Sequence, residues 1–359
     1  MSPILDELIW FRLDLSVLFY NLKMNQTAVI LVNLGTPDSP SLSDVRRYLF
    51  QFLNDRRVID LPWIPQKILV NLIIVPFRAP KSTKLYEKLW SEKGSPLLYY
   101  SEQVTAELQI RIGERYQLFN AMRYGNPDLK VILKQVENGQ FKKIIILPLF
   151  PQYASATTGS VFELVMKQIN GWKTFPEIQL ISSFHDHPAF IKAFAARASA
   201  YEISAYDHVI FSFHGLPLRQ INKLHPGKDC LSCKCVTETI SEGKLCYKAA
   251  CYETARLIAN EIGLSVKDYS VSFQSRLSKN WMSPFTDKTL IDKAKSGIKN
   301  ILIFAPSFVA DCLETKVEIE AEYSELFKEH GGEHLQMVES LNNHEAWIDG
   351  LEQMVTELG

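Results

Sequence analysis

The chain is short of the features that mark several large classes of protein. It has no excess charge of either sign: 39 Lys and Arg stand against 40 Asp and Glu, a net charge of −1, so no global positive field argues for a nucleic-acid partner. None of its 16 glycines forms a GxGxxG turn after an apolar run, and no GxxxxGK[ST] occurs, which removes the main sequence support for nicotinamide and P-loop chemistry. Low-complexity or collagen-like composition is absent, as are a Gly/Ser-rich linker and a repeat of fixed period. Also missing is an uncharged apolar run of around 20 residues, the length a membrane span needs. The apolar stretch Ile4 to Leu22 is interrupted by Asp6, Glu7, Arg12 and Asp14 and lacks the basic start and small-residue cleavage site of a secretory signal. Met24 precedes the first strand-like run, so residues 1–23 read as an amphipathic appendage or as the product of an early start-codon assignment, the second being favoured.

What is present is an ordinary globular composition, 47% hydrophobic and 22% charged over 359 residues, enough for about two domains at roughly 150 residues each. Short Val/Ile/Leu runs alternate with helical patterns: Thr27 to Leu34, Tyr116 to Met122, Lys143 to Phe150, Ile178 to Phe184, His208 to Phe213, Tyr269 to Phe273 and Asn300 to Phe304. Near-continuous apolar runs at crossover spacing are the pattern of parallel strands buried on both faces, so the fold class is α/β. The rhythm restarts after Pro176. We therefore expect two Rossmann-like lobes with parallel sheets flanked by helices. The first spans 24–176, with the C-terminal helix 344–359 packing back on it, and the second spans 177–343.

In open α/β sheets the chemistry sits beyond the carboxyl ends of the strands. One such end, Asn33 to Pro37, is a Gly/Pro turn that any strand-to-helix connection needs. A second places His214 at the end of a buried run with Gly215 after it. Histidine's unperturbed pKa of about 6.5 suits proton removal near neutrality. A third runs from Asn300 into Asp311-Cys312-Leu313-Glu314-Thr315 and on to Glu318 and Glu322. Carboxylates four residues apart stack along one helix face. They read either as a solvated acidic face, with Lys316 and Glu320 paired alongside, or as a lane of hard oxygen ligands for a divalent cation. A fourth, Phe150 to Gly159, is small and hydroxylated and suits a helix cap or a backbone-rich wall. Residues 60–80 are unusually apolar for a connection, which fits a core segment, a greasy lip over a hydrophobic ligand or a membrane-surface contact.

Five of the six cysteines, Cys230, Cys233, Cys235, Cys246 and Cys251, fall in one short stretch, and Cys312 stands apart. Disulfides staple small secreted domains, whereas a local cluster in a chain of this kind is more often a metal or iron–sulfur site.

Several motifs in order, LVNLGTPDSP at 31–40, KGSPL at 93–97, PLFPQYASATTGS at 148–160, FSFHGLP at 211–217, FQSRL with Trp281, and APSFVADCLET at 305–315, resemble the ferrochelatases, which insert ferrous iron into a porphyrin to complete haem. The resemblance runs from about Ala28 to the C-terminus and implies two similar Rossmann-like lobes with the active cleft between them. It implies that His214 is the active-site histidine and Glu314 its acidic partner across the macrocycle, both catalytic and metal-facing, with Glu318 and Glu322 as an acidic file behind. It further implies that Arg123, Tyr124, Tyr153, Ser155, Thr157 and Trp281 bind the porphyrin. Cys312 stands where some relatives carry a histidine, a version shared by many bacterial members. The segment 228–251 resembles an internal Cys-rich insertion that holds a [2Fe–2S] cluster in some bacterial ferrochelatases; four thiolates suffice and five are offered, and zinc would accept four as well. The function so implied is insertion of Fe²⁺ into protoporphyrin IX by a cytoplasmic enzyme, peripheral on the inner membrane through residues 60–80. Coproporphyrin or another tetrapyrrole as substrate, and a non-catalytic porphyrin carrier with a redox-sensing cluster, are the competing readings.

Overall fold

The computed structural model describes residues 27–224, 230, 233–234 and 245–358. The segment 1–23 and Cys235 lie outside them, as does most of the cysteine-rich insertion. Eight strands form two four-stranded sheets. The first has the order β2-β1-β3-β4, built from β1 (Thr27–Thr36), β2 (Tyr116–Gly125), β3 (Lys143–Pro148) and β4 (Glu177–Leu180). The second has the order β6-β5-β7-β8, from β5 (His208–His214), β6 (Tyr269–Gln274), β7 (Asn300–Phe304) and β8 (His334–Met337). Every pairing is parallel, and the two orders are the same once renumbered, so the lobes are alike as expected.

The central strands explain the continuous apolar runs. Ala28, Val29, Ile30 and Val32 are fully buried, because β1 is covered by helices on both faces and neither set of alternating side chains reaches water. In the second sheet Phe211, Phe213, Phe273 and Phe304 are buried to the same degree. Phe211 and Phe304 stack at 4.9 Å between ring centroids, each burial contributing about 1.5–3 kcal/mol.

Twelve α-helices cover the sheets among the described residues: α1 (Leu42–Leu53), α2 (Trp63–Ile68), α3 (Val75–Leu89), α4 (Pro96–Ile112), α5 (Leu129–Gly139), α6 (Ser160–Ile169), α7 (Pro188–Ala198), α8 (Leu218–Asn222), α9 (Tyr247–Glu261), α10 (Thr286–Lys295), α11 (Ser324–Glu329) and α12 (Glu345–Thr356). Helix α1 starts where the Ser41 side chain accepts from the Asp44 N–H, a cap that satisfies one of the free N–H groups of the first turn. Three π-helical stretches, Leu69–Ile74, Ser155–Gly159 and Leu313–Tyr323, lead directly into α3, α6 and α11.

Two points of chain organisation come from the structure. Strand β4 pairs with β3, so the chain changes sheet after Leu180, close to the boundary expected at 176; alternation reveals a new strand but not the sheet that strand joins. The eighth strand, β8, escapes the sequence because it is four residues long and its outer end is exposed. Helix α12 does pack on α4 of the first lobe, and it also packs on α7, where Trp347 is buried against Phe184 and Phe190.

In both sheets successive strands run to opposite sides of the first one, β1 or β5. The crevice at each reversal therefore opens at the carboxyl ends of β1 and β3 in one lobe, and of β5 and β7 in the other.

Candidate active site

Strand β5 ends at His214. The Gly215 N–H donates to the Gln274 carbonyl at 2.9 Å, and a Cβ at 215 would stand 2.9 Å from that same oxygen, so only glycine lets the chain turn here without displacing β6. Two groups hold the His214 backbone: its N–H donates to Ser307 Oγ at 3.3 Å, and its carbonyl accepts from the Tyr247 hydroxyl at 2.8 Å. The imidazole is half-buried, with its centroid 6.4 Å from that of Trp281 and 6.3 Å from that of Phe308.

The acidic side begins beyond β7. Cys312 precedes the helix, its N–H donating to Thr315 Oγ1 at 2.9 Å. The expected helix is present, but from Leu313 to Tyr323 it is π-helical. With i→i+5 hydrogen bonds, a four-residue step falls just short of one turn rather than passing it, so Glu314, Glu318 and Glu322 still share a side. Along that side burial decreases: Glu314 and Glu318 are half-buried and Glu322 is exposed. Glu318 is held by the Ser275 N–H at 2.8 Å, the Ser275 hydroxyl at 2.5 Å, the Tyr323 hydroxyl at 2.7 Å and Gln274 Nε2 at 3.4 Å, which fixes its carboxyl group in place. Partial burial, then the charge of Glu318, pushes the Glu322 carboxyl above its ordinary range. Burial and the neighbouring Glu314 charge keep Cys312 a thiol.

His214, Glu314, Glu318 and Glu322 line one cavity of about 1150 Å³, just above the usual range of small-molecule sites. The carboxyl ends of β1, β3, β5 and β7 contribute Gly35, Leu149, His214 and Ser307 to its wall. Of the residues expected at a porphyrin, Thr157 and Trp281 border this cavity. Ser155 borders a neighbouring cleft of about 660 Å³ and accepts from Arg57. Tyr153 is half-buried and turns its hydroxyl to the backbone at Gly159, where an added Cβ would meet it at 3.2 Å. Arg123 and Tyr124 are not on the cavity surface. They close a network on Asp55, whose Oδ2 accepts from Arg123 at 2.6 Å, Tyr124 at 2.8 Å and Ser160 at 2.5 Å. Burial pushes the Asp55 carboxyl up, but the bonds from Ser160, the Arg57 N–H and Tyr124, with the Arg123 charge, outweigh it and leave the carboxyl below its usual range.

Sequence reasoning passed over three wall residues and one buried residue, Gln274, that donates to the Glu314 carbonyl. Tyr48 and Tyr86 meet edge to face at 6.2 Å near Glu314; both lie in helical patterns that read as core. Arg78 sits on α3 among apolar residues. Gln274 carried a signal, a polar residue closing an apolar strand, that could have marked it. Among the cysteines, Cys230, Cys233, Cys246 and Cys251 are free of disulfides. Among the described residues no group of three or more His, Cys, Asp or Glu is arranged to hold a metal ion.

The ferrochelatase family model matches residues 26–358. The chain is 42% identical over 330 residues to the ferrochelatase of Legionella pneumophila (strain Lens), covering 92% of this chain and 98% of that one. The chain belongs to the ferrochelatase family. It is an enzyme that inserts Fe²⁺ into a porphyrin in haem synthesis. The ferrochelatase of Coxiella burnetii (strain Dugway 5J108-111) is 40% identical over 338 residues, covering 92% and 93% of the two chains. Among solved structures, the cobalt complex of the sirohydrochlorin chelatase SirB from Bacillus subtilis subspecies spizizenii aligns with a TM-score of 0.51 at 10% identity over 92% of this chain and 94% of that one; at that identity the likeness is one of fold. This membership turns the shared cavity of His214 and Glu314 into the place to look for the macrocycle.

Replacing Asp55 by Ala leaves Arg123, only 17% exposed, without its counter-ion behind the cavity wall. Urea unfolding is expected to show a loss of about 3–5 kcal/mol, and a variant as stable as the wild type would show that the network is not structural.

Proposed function

We propose that the macrocycle is protoporphyrin IX and that it lies in the cavity with His214 toward one face and Glu314, Glu318 and Glu322 toward the other. The single observation that carries this reading is that the imidazole and the carboxylates line one space. The wall is largely apolar, as a porphyrin requires, and has few cations to spare. Of the three arginines on it, Arg219 pairs with Asp60 and Arg276 with Asp287, while Arg78 has no ion-pair partner among the described residues. Such a wall suits a ring with two propionates better than coproporphyrin with four. Thr157 and Trp281 contact the ring in this reading, Tyr153 and Ser155 back that wall, and Arg123 and Tyr124 brace it through Asp55.

Metallation removes two pyrrole N–H protons, strips water from Fe²⁺ and bends a stiff ring; contacts to the apolar macrocycle offset the bending. His214 accepts the protons, and the carboxylate lane, which runs from the half-buried Glu314 to the exposed Glu322, is the anionic route between solvent and the ring for metal entering or protons leaving. In an anaerobic assay with Fe²⁺ and protoporphyrin followed by visible absorption, His214→Ala is expected to lose insertion by at least about a thousandfold while still binding porphyrin. Wild-type turnover in that variant overturns the role of His214, faster metallation of coproporphyrin by the native protein overturns the choice of ring, and porphyrin binding with no metallation by native protein makes the chain a carrier.

Two further parts of the reading concern where the enzyme works and what its thiols hold. On α2, the following π-helical stretch and α3, Trp63, Ile64, Leu72 and Phe77 are 61%, 62%, 69% and 73% exposed, while Ile74, Arg78 and Leu85 face the cavity. A segment apolar on its outer side at the cavity edge suits a cytoplasmic enzyme resting on the inner membrane while an apolar ring passes. Co-sedimentation with phosphatidylethanolamine/phosphatidylglycerol vesicles is expected to fall about tenfold or more in a Leu72→Ser, Phe77→Ser double variant; unchanged binding would remove the segment from membrane contact.

The [2Fe–2S] cluster is proposed on four of Cys230, Cys233, Cys235, Cys246 and Cys251. The donors fit in kind: Cys230, Cys233 and Cys246 lie within electrostatic reach of one another, and burial pushes the Cys230 thiol up to about 12, so a thiolate there needs a cation beside it. When bound, the cluster would supply a redox-active iron centre. Freshly purified anaerobic protein is expected to be brown, with thiolate-to-iron absorption that dithionite bleaches; a colourless protein carrying zinc by elemental analysis decides for the alternative.

A further inference from the structure

The cysteine-rich segment runs into α9, which Tyr247 opens directly after Cys246. Tyr247 is buried on the cavity wall. Its hydroxyl donates to the His214 carbonyl at 2.8 Å and stands 3.2 Å from Ser307 Oγ, which in turn accepts the His214 N–H at 3.3 Å. One phenol and one hydroxyl thus clamp both backbone groups of the residue on which the proposed chemistry turns. The same first turn of α9 is fastened to the cysteine segment. Lys248 donates to the Cys230 carbonyl at 2.8 Å, and the fully buried Cys251, one turn further on, lies on the same helix face as Tyr247. The Cys230 N–H is tied in turn to Asn222 Oδ1 at 3.0 Å, and Asn222 borders the cavity.

We propose that Tyr247 is a positioning residue that couples the cysteine segment to His214, so that a change of packing at the thiols moves the imidazole. The physical basis is the short path, thiol to phenol to carbonyl, inside a dry and close-packed wall where a displaced group has no slack to absorb the motion. Its consequence for rate rests on His214 being the proton acceptor, since proton transfer needs the imidazole within hydrogen-bond reach of the pyrrole nitrogen and a small misplacement slows it steeply.

The test uses the full chain labelled with ¹⁵N-histidine, the His214 ring signals being assigned by their loss in His214→Ala. Tyr247→Phe keeps the ring and removes the hydroxyl. It is expected to move the His214 nitrogen signals while those of His208 and His344 stay, and to lower kcat about tenfold, the size of one lost hydrogen bond, with KM for porphyrin within about twofold. Cys251→Ala is expected to move the same signals in the wild-type background and to leave them still in the Tyr247→Phe background. His214 signals that do not respond to Tyr247→Phe, or that respond to Cys251→Ala equally in both backgrounds, overturn the proposal. Should Tyr247→Phe not fold, Cys251→Ala alone decides, since unmoved His214 signals overturn it as well. Failure of the protoporphyrin reading is seen separately, as native protein that does not metallate the ring whatever the resonances do.

Discussion

A buried amide joins the two sides of the cavity. Gln274, 1% exposed at the end of β6, accepts from Ser212 Oγ at 2.8 Å, two residues before His214, and its Nε2 donates to the Glu314 carbonyl at 3.2 Å. Its own carbonyl receives the Gly215 N–H. One side chain thereby sets the strand that ends in the imidazole against the helix that begins with the first carboxylate. A buried amide left unpaired would carry a penalty of about 1–3 kcal/mol, so these bonds are kept together or lost together. The geometry of the site depends on that coupling more than on any contact within the cavity.

Around this link most charges are paired, and the acidic lane and Arg78 are left to face the cavity. Asp55 is matched by Arg123, Asp60 by Arg219 and Lys223, and Asp287 by Arg276. Glu318 is satisfied by neutral donors, with no cation among them, so its position is fixed. Glu314 and Glu322 lie one step inward and one step outward. This graded burial, with one anchored member between two less constrained ones, is what an electrostatic path into an apolar cavity requires: each carboxylate must be desolvated enough to attract a cation or proton and near enough to water to release it. The π-helical winding keeps the three in line while Val317 and Ile319 stay buried between them.

How legible these features are in the sequence differs by residue. Apolar runs such as Val29 to Val32 and Ile144 to Leu147 announce strands buried on both faces, because nothing but a double covering makes such runs soluble. His214 and Glu314 can be picked out by their positions just past strand-like runs, and the family motifs add weight to the same two residues. Arg123 and Tyr124 were expected at the porphyrin from motif similarity alone, yet their side chains are spent on Asp55, a partner 68 and 69 positions away that no local pattern connects to them. Tyr247 falls inside the cysteine-rich stretch, and the sequence alone gives it no role; only the approach of α9 to β5 gives its hydroxyl the His214 carbonyl.

Local order, then, follows from the chain itself: periodicity and turn chemistry dictate parallel α/β lobes, the end of β5 at a histidine, and three acids on one side of a helix, since each depends on neighbours within a few residues. Which sheet β4 joins, where the acids point, and that imidazole and carboxylates share one space are decided only when strands from distant parts of the chain pair. Those pairings rest on burial summed over both lobes, a non-local quantity that no single segment carries.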